Sequence, residues 1–258
     1  MKNPRAYGKA PFTVAVIHGG PGAGGEMAPV ARELASGRGV LEPIQTATSL
    51  EGQVAELRTV LETYGDLPVT LIGFSWGAWL SLIVAARYPA IVRKLILVGS
   101  GPFEEKYVAG LEETRLGRMS EGERAEFASI IRALGDPAAE DKDALFARLG
   151  ALASKADAYD PITGEPDESY SVGSAGDIFQ GVWEDAAELR RSGKLLALGE
   201  RVRCPVVAIH GDYDPHPAEG VRSPLRAVLE SFRFILLKKC GHKPWIERQA
   251  RDEFYRVL

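Results

Sequence analysis

The amino-acid sequence predicts an α/β protein whose mostly parallel sheet is flanked by helices, and three observations lead to this expectation. The chain has short apolar runs, rich in β-branched residues and bounded by Gly or Pro, at 12–17, 69–72 and 94–98. These runs do not alternate with polar residues, which is typical of strands that are covered on both faces. Segments with helical spacing of apolar residues lie between them, at 50–64 and 76–88. Strands that alternate with helices in this way form parallel sheets through right-handed crossovers.

The same alternation resumes near the carboxyl end after a long helical stretch. The elements predicted there are strands at 205–209 and 232–237 and helices at 217–229 and 243–258. Between them, helical pieces are predicted at 121–134, 142–152 and 181–191, with no strong strand. We therefore expect one α/β sheet built from 1–101 and 200–258, with 102–199 as a helical insertion. A weaker strand is predicted at 40–46.

The composition is that of an ordinary globular protein. Of the 258 residues, 45% are hydrophobic and 26% are charged, and the formal net charge is −4. Without a basic block, such a chain is not expected to bind nucleic acid or an anionic membrane through bulk charge. No signal peptide or membrane span is recognised, so we expect a cytoplasmic protein. Two cysteines, Cys204 and Cys240, are too few for a disulfide framework or a paired-cysteine metal site, and no metal is expected.

A Gly-x-Ser-x-Gly pentapeptide at 73–77 carries the strongest chemical signal. It directly follows the apolar run 69–72 and directly precedes the helical segment that starts at Trp76. This is the setting of a nucleophile elbow, in which glycines allow a sharp turn and the Ser75 hydroxyl projects above the sheet. The helix N-terminus favours negative charge on an attacked carbonyl oxygen. The alternative is a glycine-rich turn in which Ser75 only caps the helix.

A serine nucleophile needs a base, and the chain offers four histidines. His242 follows the last predicted strand, so it can lie over the carboxyl edge of the sheet, where Ser75 is expected. His18 and His210 each end a strand and precede Gly, which favours structural roles. His216 lies in a loop between two prolines. We therefore predict that His242 is the base.

The acid that orients this histidine is expected after another strand at the same edge. The run 205–209 is followed by a loop that contains Asp212 and Asp214. Asp214 lies further round the loop, and the order Ser75, Asp214, His242 is the order in which elbow-type triads occur along the chain. Asp214 is the predicted acid. Asp212, which is placed to serve simply as a turn residue, is the reserve.

A glycine-rich loop, His-Gly-Gly-Pro-Gly at 18–22, follows the first strand. Small residues there would let a backbone N–H approach a substrate oxygen closely. We predict an oxyanion hole formed by the backbone N–H groups of Gly20 and of Trp76, the residue after the nucleophile. The alternative is a loop whose glycines only make room for neighbouring groups.

The same loop supports a competing hypothesis from another class of enzyme. Positions 20–25 match the pattern Gly-x-Gly-x-x-Gly after a strand, and Glu42 lies about 20 residues further on. This is the fingerprint of a dinucleotide-binding oxidoreductase of the Rossmann type, which would use NAD. The signal is weak because the loop is so rich in glycine. It also leaves the serine, aspartate and histidine candidates without a shared explanation.

Four motifs together resemble the α/β-hydrolase superfamily over essentially the whole chain: HGGPG at 18–22, GFSWG at 73–77, GDYD at 211–214 and CGH at 240–242. The resemblance implies an α/β-hydrolase fold, a serine hydrolase without a cofactor, and a helical cap at 102–199 over the active site. The HGGPG form is similar to the branch that contains the proline iminopeptidases. Little chain precedes the first strand, so the antiparallel strands that usually open this fold are expected to be absent or minimal.

In proline iminopeptidases, acidic cap residues hold the free amino group of the substrate. The segment 102–199 is acidic too, and its Trp183 and Glu184 resemble the Trp–acid pair near that site. These two are the predicted substrate-binding residues. The alternative is that Glu184 is an ordinary helix-start residue, favoured there by the helix dipole.

The sequence thus predicts a serine hydrolase that cleaves an ester or an amide of a small acyl substrate through an acyl-enzyme intermediate. The alternatives are an aminopeptidase similar to proline iminopeptidases, the nicotinamide-dependent oxidoreductase, and a ligand-binding protein without catalysis. The bond type stays open, because ester, amide, lactone and carbon–carbon bond hydrolysis all run on this set of residues.

Overall fold

The computed structural model describes residues 3–136, 141–162, 170–171 and 175–258. Its strands are β1 (Arg5–Tyr7), β2 (Phe12–Ile17), β3 (Ala23–Gly24), β4 (Gly39–Glu42), β5 (Val69–Phe74), β6 (Val92–Val98), β7 (Tyr170–Ser171), β8 (Val206–Gly211) and β9 (Phe232–Leu237). Its helices are α1 (Ala28–Leu34), α2 (Leu50–Tyr64), α3 (Trp76–Arg87), α4 (Leu111–Gly117), α5 (Glu121–Leu134), α6 (Lys142–Asp157), α7 (Ala175–Arg191), α8 (Lys194–Ala197), α9 (Glu219–Val228) and α10 (Arg251–Val257).

Seven strands form the main sheet, in the order β1-β4-β2-β5-β6-β8-β9. All neighbours pair in parallel except β1, which is antiparallel to β4. The predicted mostly parallel sheet is therefore confirmed. The weak strand predicted at 40–46 is the short β4, and β1 is the one antiparallel strand at the start of the described sheet.

Because helices cover both faces of the sheet, its strands consist of continuous apolar runs. In β2, Ala15 and Ile17 belong to a buried cluster with α2, α3 and α9. Val14 and Val16 of the same strand belong to a second cluster with α1 and α10. Alternate residues of one strand therefore enter opposite cores, and both cores require apolar side chains.

The segment 102–199 contains α4, α5, α6, α7 and α8. Buried residues of α5 and α6 form a small core with Met119, separate from the two cores of the sheet. Helix α7 instead buries Ile178 and Val182 in the cluster that contains α3. In the described part of this segment the one strand is the two-residue β7, which pairs with β3. This agrees with the prediction that no strong strand interrupts the segment.

Two predicted helices have different bounds in the structure. Helix α7 begins at Ala175 and not at 181. The helix predicted over 243–258 is wrong in its first half, where a short 3₁₀ turn, Pro244–Ile246, precedes the separate α10. The chain is extended at Glu247, which pairs with Pro161 of the segment 102–199. This tertiary contact overrides the local helical pattern.

Among the described residues, the helices are too short or too polar to cross a lipid bilayer.

The packing of α3 against the sheet requires glycine at position 77. A Cβ atom on Gly77 would lie against the Ile17 carbonyl oxygen and 2.5 Å from the His18 carbonyl oxygen, at the end of β2. We expect Gly77→Ala to lower the free energy of unfolding by about 3 kcal/mol, because rigid backbone must move. Urea denaturation measures this change.

Gly150→Ala is the matched control, because Gly150 is exposed on α6 and its Cβ would meet no atom within 4 Å. Replacing a helical glycine in open space is expected to stabilise the protein by about 0.5–1 kcal/mol. An unchanged denaturation midpoint for Gly77→Ala would contradict the close approach of α3 to β2.

Candidate active site

The turn that holds Ser75 connects β5 directly to α3. Ser75 has φ 51° and ψ −116°, a backbone conformation that residues other than glycine rarely adopt. Its N–H donates a hydrogen bond to the Val98 carbonyl oxygen on β6 at 2.9 Å. A Cβ on Gly73 would collide with the backbone of Gly77 and lie 2.6 Å from Ser81 Oγ. The structure therefore has the strand–turn–helix arrangement that the pentapeptide predicts.

His242 and Asp214 meet at the carboxyl edge of the sheet. Asp214 follows β8 and His242 follows β9, and His242 Nδ1 lies 2.7 Å from Asp214 Oδ2. Because a carboxylate only accepts, Nδ1 carries the proton, and the Nε2 of the neutral ring is left as an acceptor. Asp212 instead accepts a hydrogen bond from the Cys240 N–H at 3.3 Å, as a turn residue does. Of the two candidate acids, Asp214 is the one that contacts His242.

The electrostatics of this pair match a base and its orienting acid. Burial by itself raises the pKa of Asp214, but the charges of His242, His216 and His210 outweigh it and hold the pKa well below its ordinary value. Burial likewise lowers the pKa of His242, but the Asp214 charge and hydrogen bond outweigh burial and raise it. Asp214 thus stays ionised and strengthens His242 as a proton acceptor.

His242 also packs against the turn that holds Ser75. Its ring centroid lies 4.7 Å from that of Phe74, the residue before Ser75. A Cβ on Gly99, next to the end of β6, would approach the His242 carbonyl oxygen to 2.8 Å. The structure thus brings the predicted base and acid to the predicted nucleophile turn.

The glycine-rich loop lies between β2 and β3. Gly20 has φ +20°, and its carbonyl oxygen accepts the Ala23 N–H at 2.9 Å, so the loop turns here. The neighbouring Gly19 N–H donates to Glu26 Oε2 at 3.1 Å, and Glu26 Oε1 pairs with Lys243 Nζ at 2.8 Å. This ion pair ties the loop to the residue that follows His242. Trp76 is the first residue of α3, and a helix offers no acceptor to the N–H at that position.

His18 has the structural role that its position suggests. It is fully buried, and its Nε2 accepts the Gln45 N–H at 3.1 Å. Its Nδ1 must then be protonated, and it lies 2.8 Å from the Gly19 carbonyl oxygen. Burial lowers the pKa of His18, which agrees with a neutral ring.

Most of the chain matches a known protein family. Residues 13–249 match the model of a family described as the alpha/beta hydrolase fold. The chain belongs to this family. This α/β hydrolase is 27% identical over 222 residues to a pimeloyl-[acyl-carrier protein] methyl ester esterase of Neisseria meningitidis serogroup B, covering 84% of this chain and 75% of that protein.

Solved structures agree on the fold. A meta-cleavage product hydrolase from Pseudomonas fluorescens has a TM-score of 0.65 and 18% identity, over 99% of this chain and 91% of that one. A proline iminopeptidase from Mycobacterium smegmatis has a TM-score of 0.62 and 18% identity, over 98% and 91%. At such identities the likeness shows the fold alone, so the resemblance to the proline iminopeptidase branch stays a prediction.

The match to the alpha/beta hydrolase fold favours a hydrolase over the oxidoreductase of the competing hypothesis. In the glycine-rich loop, the Gly19 N–H already donates to the Glu26 carboxylate. Glu42, the residue expected to bind a ribose, is fully buried and accepts a hydrogen bond from Tyr7 Oη at 2.7 Å.

A second histidine that sequence reasoning did not select contacts the predicted acid. The His216 ring Nδ1 and backbone N–H lie 2.8 Å and 2.9 Å from Asp214 Oδ1. The His216 ring stacks on His242 with centroids 4.7 Å apart, and its carbonyl oxygen accepts from His210 Nε2 at 2.8 Å. The one sequence signal for this contact is its position two residues after Asp214.

Asp214, His216 and His242 also bring ligand-type atoms within 4.8 Å of one another. Hydrogen bonds among the three account for this convergence, so we assign them to a hydrogen-bond network.

A buried carboxylate links the His242 loop to the segment 102–199. Glu247 accepts backbone N–H groups from Gly241, Tyr159 and Asp160, at 2.9, 2.9 and 2.8 Å. The His242 N–H donates to the Asp157 carbonyl oxygen at 3.0 Å. Sequence reasoning missed Glu247, because its partners lie far away in the chain.

The two predicted substrate-binding residues lie on α7, next to a surface cleft. Trp183 is 37% exposed and stacks on Trp79 of α3 at 5.9 Å and on Phe179 at 5.7 Å. Glu184 is exposed beside the cleft, whose volume is about 260 Å³. It lies in the middle of α7, so the alternative that it starts a helix is wrong. An exposed carboxylate binds an ammonium group only weakly, since water screens the pair.

Replacing the carboxylate beside His242 tests the assignment of the acid. In Asp214→Asn, burial of His242 is no longer opposed by the Asp214 charge, which is the largest effect that raises the pKa of this ring. We expect the pKa of His242 to fall below about 6.5, its ordinary value. Asp212→Asn, the matched control, should leave it unchanged. A pH titration of the histidine ring nitrogens by ¹⁵N NMR measures both, and a larger fall in Asp212→Asn would reverse the assignment.

Proposed function

We propose that this hydrolase is a serine esterase that acts on esters of small acyl substrates. Ser75 is the proposed nucleophile, His242 the base and Asp214 the acid. The observation that carries the proposal is the 2.7 Å hydrogen bond between His242 and Asp214, with the His242 ring against Phe74 of the Ser75 turn. The esterase relative, which matches 84% of this chain, supports an ester over an amide as the substrate.

In the proposed reaction, His242 Nε2 accepts the Ser75 proton while Ser75 Oγ attacks the ester carbonyl. The backbone N–H groups of Gly20 and Trp76 would bind the oxyanion that forms. His242, now an imidazolium paired with Asp214, returns its proton to the leaving alcohol, and an acyl-enzyme remains. Water, deprotonated by His242, then attacks the acyl carbon. The bond between this carbon and Ser75 Oγ breaks, His242 returns the proton to Ser75 Oγ, and the carboxylic acid leaves. Asp214 stays ionised throughout, in keeping with its lowered pKa.

We also propose that 102–199 is a cap and that 1–101 and 200–258 form the catalytic core. The links from Glu247 and Asp157 to the His242 loop support this division, because they hold the segment over the carboxyl edge of the sheet. A stack of aromatic rings runs from Trp79 on α3 to Trp183 and Phe179 at the cleft. Its apolar surface fits the hydrocarbon part of an acyl group.

A second candidate is an aminopeptidase of the proline iminopeptidase kind. Trp183 and Glu184, side by side at the cleft, favour it: an aromatic ring to cover a prolyl group and a carboxylate to bind the amine. The exposure of Glu184 counts against a strong contact with an ammonium group. A ligand-binding protein without catalysis would instead turn over no ester at all.

The nucleophile is tested by active-site labelling. A fluorophosphonate probe should label the parent protein and fail to label Ser75→Ala, and turnover of p-nitrophenyl acetate should fall by several orders of magnitude. Ser81→Ala is the control, because Ser81 lies on the same helix and its Oγ is fully buried. Equal labelling of parent and Ser75→Ala would refute the assignment, and a parent that hydrolyses no activated ester would favour the binding protein.

The choice between esterase and aminopeptidase is tested with two substrate series. We expect p-nitrophenyl esters to be hydrolysed and N-terminal prolyl amides to be hydrolysed slowly or not at all. Glu184→Gln should leave ester turnover within about twofold of the parent, since an exposed charge contributes little. Asp185→Asn, an exposed neighbour, is the control. A loss confined to prolyl amides in Glu184→Gln would establish the aminopeptidase instead.

A further inference from the structure

The Asp214 carboxylate is shared between two histidines. Its Oδ2 binds His242 Nδ1 at 2.7 Å, and its Oδ1 binds His216 Nδ1 at 2.8 Å. Both rings must carry the proton on Nδ1, because an ionised carboxylate can only accept. The Asp214 side chain is fully buried, so the two imidazoles are its main source of stabilisation.

His216 is built into this position and is not a loosely held surface side chain. Its backbone N–H also binds Asp214 Oδ1, at 2.9 Å, which closes the short loop on the carboxylate. Its carbonyl oxygen accepts from His210 Nε2 at 2.8 Å, and His210 is buried in β8. Its ring stacks on His242 at an interplanar angle of 30°. The proposed reaction assigns no role to His216.

We propose that His216 is a positioning residue, which holds Asp214 and limits how much of its negative charge acts on His242. The proposal rests on the proposed function, in which His242 must be neutral to accept the Ser75 proton. Each additional N–H group from which a carboxylate accepts a hydrogen bond weakens its attraction for the other protons, so the His216 ring N–H reduces the attraction of Asp214 for the His242 proton. His216 would therefore limit the rise in the pKa of His242, so that the His242 ring is neutral near pH 7.

The protonation states agree with this role. Burial lowers the pKa of His216, the Asp214 charge opposes burial, and a protonated His242 lowers the pKa further. The pKa of His242 is raised. As the pH falls, His242 is therefore protonated first, while His216 is still a neutral donor to Asp214.

Several other charged or titratable groups surround the two rings. Strand β8 and its loop contribute His210, Asp212 and Asp214. The segment 102–199 contributes Arg115 and Asp157. The His242 loop and its contacts contribute Cys240, Lys243, Glu247 and Glu26. Substitutions at position 216 leave all of these side chains in place, and of their contacts with Asp214 they remove only the hydrogen bond from the His216 ring. A change in the titration of His242 in such variants is therefore attributable to the lost His216 donor.

Three variants test the proposal. His216→Phe keeps a ring stacked on His242 but removes the side-chain donor to Asp214, while the backbone N–H of residue 216 remains. His216→Leu is a second variant whose side chain is donor-free, should Phe impair folding. His216→Asn restores a donor, because an Asn Nδ2 occupies nearly the position of a His Nδ1. The measurements are the pH dependence of kcat/KM with p-nitrophenyl acetate and the ¹⁵N NMR titration of His242. His242→Gln identifies its resonances, and thermal melting checks the fold.

We expect the acid limb of kcat/KM to move to higher pH by about 0.5–1 unit in the Phe and Leu variants. On the acid side of the limb this is a loss of roughly threefold to tenfold, while the plateau at high pH stays within a few-fold of the parent. The Asn variant should return the limb to its parent position. A merely structural role would lower the plateau without moving the limb.

Three results would overturn the proposal: a limb that stays in place in both donor-free variants, a limb that moves to lower pH, or an Asn variant that shifts as far as Phe. The NMR titration separates this proposal from the proposed function. If the protein hydrolyses no ester, the esterase proposal fails, but the pKa of His242 in the parent, Phe and Asn proteins still decides whether His216 acts through Asp214.

Discussion

The backbone of α3 lies directly against the carbonyl oxygens at the end of β2, and this approach depends on the missing side chain of Gly77. With α3 so close to the sheet, the connection from β5 has room for one residue, Ser75, in a conformation with positive φ. Such strain persists only where the surrounding structure holds it, and almost every residue of α3 is buried. The strained turn, the start of α3 beside it and the buried core behind them therefore follow from one close contact.

A second constraint acts at the neighbouring strand ends. The chain buries the Asp214 carboxylate completely, and a buried charge is costly unless it is paired and hydrogen-bonded. His242 comes from the loop after β9, and His210 and His216 from β8 and its own loop. Parallel strands end at the same edge of the sheet, so these loops converge without a long excursion of the chain. The histidines thereby lower the pKa of Asp214, and the Asp214 charge raises the pKa of His242.

The segment 102–199 is connected to this edge by polar groups and by aromatic packing. Glu247 binds backbone N–H groups on both sides of the junction, and Asp157 is held by Arg115 in a bidentate ion pair while its carbonyl oxygen binds His242. Trp183 stacks on Trp79 of α3. A displacement of the segment would therefore strain both the His242 loop and the helix behind Ser75. These contacts therefore link the position of the segment 102–199 to the geometry of the His242 loop.

The sequence by itself determined the parallel sheet, the Ser75 turn and the chain order of Ser75, Asp214 and His242. These features are local: apolar runs, glycines at fixed offsets and residues directly after strands. The sequence favoured Asp214 and kept Asp212 in reserve. The tertiary structure shows that Asp214 is the one that contacts His242, because the path of the loop decides which of the two side chains reaches the ring.

The same holds for the contact of His216 with Asp214 and for Glu247, which breaks the predicted last helix by bonding residues far away in the chain. Glu184 is another such case, because its exposure depends on how α7 packs. The pairing of groups that are distant in the chain depends on three-dimensional packing, and the local spacing of one sequence does not encode it.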